Sequence, residues 1–212
     1  MNPSWSSITS KGLDLLYPPT CLHCKEGLDT HALLCTYCLQ HLDLLPGEGR
    51  CSKCFQEIPQ LKGTCRACRK ICSPFRRFAS CFEGEGPPHT LLTAFTKHGD
   101  HFLAKELASY LVIQLNHLAY PPFDAITAVP DHFSRAPKLL EKEVAGLLHL
   151  PLIHPLQRAL TPEPTFSLKK RCKIVGKRLL LIGLTGETIH LAAETLREGE
   201  PETIYGITLC LK

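Results

Sequence analysis

Beyond Phe75 the chain alternates segments whose apolar residues suit strands with segments whose apolar residues suit helices. The strand-like segments are residues 76–82, 124–130, 150–156, 178–182 and 203–211. The helix-like segments are residues 89–95, 102–118, 138–149 and 187–197. Strands and helices in this order predict an α/β fold, in which a parallel sheet is covered by helices.

The longest helix-like segment and one turn add detail to this prediction. Residues 102–118 place an apolar stripe on one helix face, formed by Leu103, Leu107, Tyr110, Leu111, Leu115 and Leu118. Parallel sheets bind ligands at the carboxyl ends of their strands, and the turn from Thr185 to Thr188 follows such an end. TPEPTFS, residues 161–167, contains two prolines and predicts a loop.

Cysteine is concentrated in the first third of the chain. Eight of the twelve cysteines form four Cys-x-x-Cys pairs, at Cys21/Cys24, Cys35/Cys38, Cys51/Cys54 and Cys65/Cys68. Adding 30 to the numbers of the first two pairs gives the last two, so the segment is an internal repeat. The shift in composition predicts a lead-in (1–20), a double zinc ribbon (21–72) and a larger α/β domain (73–212).

Each repeat supplies four thiols at the spacing of a zinc site. Two residues between cysteines let a tight turn aim both sulfurs at one ion, and a second pair completes a tetrahedron. We therefore expect two structural zinc ions, although spacing alone does not separate ligation within each repeat from interleaved ligation. A disulfide framework is the alternative, which the lack of secretion-signal features disfavours. Outside the repeat, Cys72 could replace a ligand, whereas Cys81 and Cys210 suit small core residues.

The positive charge of the chain lies with the cysteines. The net charge is +4, and residues 1–80 carry ten Lys/Arg against six Asp/Glu, whereas residues 81–212 carry fourteen of each. Five basic residues cluster around and after the last cysteine pair: Arg66, Arg69, Lys70, Arg76 and Arg77. This cluster suits either contact with a nucleic-acid backbone, with Phe75 or Phe78 stacking on bases, or a solvated face. A second basic run, residues 169–178, suits either contact with an anion bound at the sheet edge or the role of a solvated connecting segment.

Two further observations limit the classes of function. A run of about 18 apolar residues, long enough to span a bilayer, does not occur, which predicts a cytoplasmic protein without membrane insertion. Four histidines that could serve in acid–base chemistry have no partner at a ligand-like spacing: His98, His101, His132 and His154. We therefore expect each of them to be an ordinary surface or packed residue.

Several motifs, in this order, resemble the ComF family. LLYPPTCLHC, LCTYCLQHL, CSKC and CRACRK are similar to its double zinc ribbon, and SPFRRFASCFEGEGPPHTLLTAFTKHGD is similar to its linker, first strand and Lys-Gly segment. DAITAVP stands where the family has a Val-Pro strand end. GKRLLLI followed by TGET resembles the strand and loop that bind phosphoribosyl pyrophosphate (PRPP). The resemblance implies a phosphoribosyltransferase-like α/β domain and a role in natural competence, with single-stranded DNA or a helicase-like protein of DNA uptake as partner.

The resemblance also implies a phosphate site at Thr185, Gly186 and Thr188, where backbone N–H groups meet at a helix start. Glu187 departs from the family pattern, because it places a carboxylate inside that phosphate cradle. The Gly-Phe-Asn-Gln-like stretch that the family carries after its Val-Pro strand end is missing as well.

The acidic pair of the family's PRPP loop is also missing. In the family, two adjacent acidic residues follow the strand and engage the ribose and the region of the bound magnesium, whereas Gly183 and Leu184 follow it here. We therefore expect no catalytic residues and a non-catalytic, ComF-like binding protein. The alternative is a PRPP-dependent phosphoribosyltransferase of nucleotide metabolism that requires magnesium.

Overall fold

The computed structural model describes residues 18–30, 32–98, 101–131, 133–161, 163–170 and 172–211. Most of the predicted lead-in, residues 1–17, lies outside the described residues. So do Gly99 of the Lys-Gly segment, His132 and Arg171. His101 is described only as the first residue of a helix.

Two similar units form the cysteine-rich region. Helix α1 (Thr36–Gln40) belongs to the first unit, and strands β1 (Arg50–Cys51) and β2 (Lys62–Gly63) with helix α2 (Arg66–Lys70) belong to the second. The strands β1 and β2 pair in parallel. Each helix starts directly after the third cysteine of its repeat, whose sulfur accepts the backbone N–H of the fourth at 3.4 Å or 3.3 Å. The sequence repeat is therefore also a repeat of local structure.

The α/β domain follows in the predicted order. It contains β3 (Arg77–Phe82), α3 (Gly86–His98), α4 (His101–His117), β4 (Ala125–Ala128), α5 (Ala136–Leu148), β5 (Leu156–Arg158), β6 (Phe166–Leu168), β7 (Arg178–Gly183), α6 (Gly186–Arg197) and β8 (Thr203–Cys210). The main sheet has the order β3-β8-β7-β4, and all three pairs of neighbouring strands are parallel. The prediction of a zinc ribbon region followed by a parallel-sheet α/β domain is confirmed.

The central strand β7 shows why this sheet is buried on both faces. Leu180 and Ile182 pack with α3, α4 and α5 on one face, whereas Leu179 and Leu181 pack with α6 on the other. Successive side chains of a strand point to opposite faces, so a continuous apolar run fits a strand covered by helices on both sides. The turn after β7 is thereby held at a fixed place at the edge of the sheet.

Two of the sequence predictions are wrong in extent. Residues 150–156 do not form a continuous strand: Leu152 makes a single parallel bridge to Ile126, and β5 begins only at Leu156. Pro151 and Pro155 lack the N–H group that a ladder requires, which explains the interruption. The predicted loop at 161–167 ends early, because its last two residues belong to β6, which pairs antiparallel with β5.

The zinc ribbon region packs directly on the α/β domain. Leu34 and Leu42 are buried in the same core as helices α3 and α4. The chain between the two units runs along β3, where the N–H of Leu45 donates to the carbonyl of Cys81 at 2.9 Å. The buried Gln114 of α4 donates to the carbonyl of Leu45 at 2.8 Å. Among the described residues, every helix is too short or too polar to span a membrane.

Candidate metal centres and candidate binding surfaces

Eight thiols gather into two clusters of four. One consists of Cys21, Cys24, Cys35 and Cys38, and the other of Cys51, Cys54, Cys65 and Cys68. Within each cluster all four sulfur atoms lie within 4.8 Å of one another. Each cluster takes its ligands from one repeat, so the ligation is not interleaved.

The geometry of both clusters fits zinc. A tetrahedral site with Zn–S bonds of about 2.3 Å has sulfur atoms about 3.8 Å apart. The sulfur atoms of Cys24 and Cys35 are 3.6 Å apart, and those of Cys54 and Cys65 are 3.8 Å apart. Both separations are far too long for a disulfide, and every described cysteine is a free thiol. The two four-cysteine clusters therefore fit two structural zinc sites, in which zinc would cross-link the chain segments that carry the cysteines.

The remaining four cysteines lie outside these clusters. Cys81 and Cys210 are fully buried in the core, as expected. Cys72 is exposed, and its sulfur lies 3.9 Å from the guanidinium of Arg197. Cys172 donates to the carbonyl of His154 at 3.6 Å. Cys72 is therefore not a member of either cluster.

The basic cluster of the sequence divides between two elements. Arg66, Arg69 and Lys70 lie exposed on α2, and among the residues that the structure describes none of them has an ion-pair partner. Arg76 is exposed just before β3. Arg77 turns towards the α/β domain, where its guanidinium lies 4.7 Å from the ring centre of Tyr120. The exposed cationic surface of the ribbon is thus a face of α2, with Arg76 next in the chain.

The expected stacking role of Phe75 and Phe78 is wrong. Both rings are only 1% exposed and pack against the ring of His190 at 5.1 Å and 5.3 Å. Every residue of β3 after Arg77 is buried, because helices cover this sheet on both faces. The position of Phe78 within the strand predicted at residues 76–82 was a signal in the sequence against a stacking role.

The turn after β7 is closely packed. Thr185 has an extended backbone and caps α6, although its side chain makes no capping hydrogen bond. A Cβ atom on Gly186 would collide with the backbone carbonyl oxygen of Leu211. The N–H of Cys210 donates to the carbonyl of Leu184 at 3.1 Å, which ties the turn to the end of β8. Glycine is needed here for packing, whether or not the turn binds a phosphate.

Thr185 and Thr188 line a cavity of about 240 Å³ at the carboxyl ends of β4 and β7. Asp131 and Arg158 line the same cavity and form an ion pair at 3.1 Å. The carboxylate of Asp131 also accepts the backbone N–H of Phe133 at 3.0 Å. The cavity lies where ligands of parallel sheets bind, but among the described residues its one carboxylate is already paired with a cation.

A second group of polar side chains was not predicted from the sequence. Glu141 on α5 is 3% exposed, and its carboxylate accepts the backbone N–H of Ala128 at 2.8 Å. Its other oxygen lies 3.3 Å from Nδ1 of His154, whose side chain is 56% exposed. The signal for Glu141 was present, since it lies four residues from Pro137 and from Ala145 and hence on the buried face of α5.

These geometries can be compared with known proteins. The double zinc ribbon domain matches residues 12–69. No curated protein sequence matches the chain. The solved structure of UMP synthase from Leishmania donovani is similar at 20% identity with a TM-score of 0.36, over 55% of this chain and 23% of that chain. The protein therefore carries an N-terminal double zinc ribbon, and it spans less than a quarter of the length of that solved enzyme.

Proposed function

We propose that this protein is a non-catalytic, ComF-like protein of DNA uptake whose second zinc ribbon binds single-stranded DNA. The observation that carries the proposal is the exposed face of α2, where Arg66, Arg69 and Lys70 project without an ion-pair partner among the described residues. A helicase-like protein of the competence machinery is the proposed protein partner. The double zinc ribbon and the parallel-sheet domain support the ComF-like assignment.

The two repeats differ in charge, which favours the second one as the DNA-binding unit. Residues 51–70 contain five Lys/Arg and one acidic residue, whereas residues 21–40 contain one lysine and two acidic residues. A Zn²⁺ ion with four thiolates contributes the same negative charge to each repeat. The difference in side-chain charge therefore persists after zinc binding, and a polyanion is attracted to the second ribbon.

The surface favours contact with phosphates rather than recognition of bases. Phe75 and Phe78 are buried and leave no aromatic platform on this part of the ribbon. Ile71, which follows Lys70, is 69% exposed and offers apolar surface beside the cationic face. Binding by cations alone is largely independent of sequence and weakens as salt is added. We therefore propose low sequence preference and a strong salt dependence.

The proposal is tested by fluorescence anisotropy with a labelled oligothymidylate and the zinc-loaded full-length protein at several salt concentrations. The variant R66Q/R69Q/K70Q should bind at least about tenfold more weakly. Its plot of log K against log salt should be shallower by about 2, since each lost phosphate contact on a single strand removes about 0.7. The matched control K97Q/K105Q/K142Q removes the same charge from exposed lysines of three helices in the α/β domain.

The control should bind like the wild type if α2 is the contact surface. Equal losses in the two triple variants would mean that only net charge matters, and binding that does not respond to salt would contradict the phosphate contacts. Thermal unfolding of each variant checks that the ribbons remain folded.

A phosphoribosyltransferase that acts on PRPP with magnesium is the second candidate, because the cavity at Thr185 and Thr188 lies at the carboxyl ends of two parallel strands. The side chains that line this cavity do not fit PRPP with bound magnesium. Asp131, the one carboxylate that lines the cavity within the described part of the chain, is paired with Arg158. Calorimetry with PRPP and magnesium tests this candidate, and no heat at millimolar ligand would exclude it. If a latent phosphate site persists, Glu187→Ala should raise the affinity for inorganic phosphate.

A further inference from the structure

A larger cavity, of about 480 Å³, lies between β4, α5 and the chain around β5. Its apolar wall consists of Val129, Pro130, Pro137, Leu152 and Leu156. The residues of the turn 185–188 do not line it, although it adjoins the smaller cavity and shares five lining residues with it: Val129, Pro130, Asp131, Pro137 and Arg158. A cavity of this size is large enough for a small organic molecule, for which typical sites measure about 300–1,000 Å³.

The polar floor of this cavity is Glu141 with His154. One oxygen of Glu141 accepts the N–H of Ala128 at 2.8 Å, and the other lies 3.3 Å from Nδ1 of His154. His154 is 56% exposed, and because Nδ1 faces Glu141, its Nε2 is the nitrogen available to a ligand. A buried carboxyl group beside an imidazole in a cavity of this size is a combination typical of binding sites.

Three lysines make the cavity cationic. Lys138 and Lys142 on α5 and Lys169 after β6 line it, and within the described part of the chain none of the three has an ion-pair partner. The charge of Arg158 is balanced by Asp131 at 3.1 Å. An anion therefore meets an excess of positive charge at the rim and apolar surface inside.

We propose that this cavity binds a small organic anion with an apolar body, whose charged group contacts Lys138 and Lys169 and whose body lies on Leu152 and Leu156. This site is separate from the DNA-binding surface on α2 and from the phosphate turn. Inorganic phosphate or pyrophosphate lacks the apolar body and therefore does not fill it.

The ionisation of Glu141 and His154 supports an anionic ligand. Burial raises the pKa of Glu141 to about 7, against the lowering effect of the Ala128 N–H and of Lys138 and Lys169. Burial, Lys169 and Lys138 lower the pKa of His154. Among the described residues, the groups that face Glu141 and His154 are the three lysines, Arg158 and Asp131. As the pH falls through about 7, Glu141 becomes neutral and its repulsion of a bound anion disappears, so affinity should rise.

The test uses 2-naphthalenesulfonate as the anion and 2-naphthalenesulfonamide as its neutral counterpart, titrated into the zinc-loaded full-length protein by calorimetry. The sulfonate should bind in a saturable 1:1 manner, and at least about tenfold more tightly than the sulfonamide. The variant K138Q/K169Q should lose about tenfold in affinity, whereas the matched control K97Q/K105Q should not. Wild-type affinity should fall between about pH 6.5 and 8, and E141Q should remove most of this dependence.

Two further variants and a competing ligand distinguish binding in this cavity from binding at the turn 185–188. Leu152→Glu places a charge on the apolar wall and should abolish binding, while Thr188→Val, which changes only the smaller cavity, should have no effect. Pyrophosphate at about tenfold excess should not displace the sulfonate. The proposal is overturned if the wild type shows no saturable binding at millimolar sulfonate, or if K138Q/K169Q binds like the wild type. Loss of binding in Thr188→Val, or full displacement by pyrophosphate, would overturn it as well.

Discussion

The guanidinium of Arg50 lies 2.7 Å from the carboxylate of Glu83 and joins the second zinc ribbon to the residue that follows β3. Arg50 is 7% exposed, donates to the carbonyl of Phe55 at 3.1 Å and lies over the Phe55 ring. The same guanidinium nitrogen that contacts Glu83 also lies 3.4 Å from Glu57. A buried cation thus has two acidic neighbours, one on the α/β domain and one on its own ribbon.

Removing the charge of Glu83 should weaken the attachment of this ribbon. Glu83→Gln leaves a buried guanidinium with an incomplete counter-charge, and we expect the free energy of unfolding to fall by about 1–2 kcal/mol. Glu57 is 83% exposed and more distant, so Glu57→Gln is the control and should cost less than about 0.5 kcal/mol. Urea denaturation measures both values. Equal losses of unfolding free energy in the two variants would show that the short contact of Arg50 with Glu83 contributes no more than its longer contact with Glu57.

The two zinc sites should differ in their effect on the α/β domain. Cys38→Ser and Cys68→Ser should each reduce the metal content from two zinc ions to one, measured by mass spectrometry of the metal. Cys38 is buried in the core that the first ribbon shares with α3 and α4, whereas Cys68 is half-buried. We therefore expect Cys38→Ser to lower the Tm by about 10 °C and Cys68→Ser to lower it by less.

The exposed Cys72 provides the control for this experiment. Cys72→Ser should keep both zinc ions and the wild-type Tm, because its sulfur lies outside the two clusters. A loss of zinc in Cys72→Ser would mean that this thiol exchanges with a cluster ligand.

Local sequence signals were sufficient for the ribbons and for most of the sheet. The spacing of the Cys-x-x-Cys pairs determines the chain geometry around each metal, so both clusters follow from the repeat alone. The apolar run at β7 is buried on both faces and was visible as a strand for that reason. The interruption at Pro151 and Pro155 could also have been predicted, since proline cannot donate to a ladder.

The Glu141–His154 pair could not have been predicted from local sequence signals. The two lie thirteen positions apart in the chain, and they meet because the chain after α5 returns beside β4, where Leu152 bridges to Ile126. That return is a tertiary event which helical periodicity does not specify. The helix position of Glu141 indicates burial, but its partner becomes visible only in the folded chain.

The raised pKa of Glu141 has a consequence for stability as well as for binding. Its pKa is about 7 in the folded protein, against about 4.5 for an ordinary glutamate, so between these values the folded state holds a proton that the unfolded chain has lost. This contribution to stability is fully present below about pH 4.5 and is lost as the pH rises to about 7. The loss amounts to about 3 kcal/mol.

Glu141→Gln should remove this dependence. The amide stays neutral, so the variant should be more stable than the wild type at about pH 8 by about 2 kcal/mol and close to it at about pH 5. Glu143→Gln, on the same helix, is the control and should follow the wild type at both pH values. Denaturant unfolding at the two pH values gives the difference in unfolding free energy between variant and wild type. Titrations that both proteins share cancel in this difference. A constant difference across this range would contradict the burial of an ionisable carboxyl group.

Two glycines in helical segments should respond in opposite directions to alanine. Gly186 has no room for a Cβ atom, because the carbonyl oxygen of Leu211 occupies that position, and Gly186→Ala must push the end of β8 away from the turn. We expect the free energy of unfolding to fall by about 2 kcal/mol. Gly146 lies exposed in α5 with open space around its Cβ position, so Gly146→Ala should gain about 0.5–1 kcal/mol from helix propensity. Thermal and urea unfolding without added phosphate measure both changes, and a neutral Gly186→Ala would contradict the packing requirement at this position.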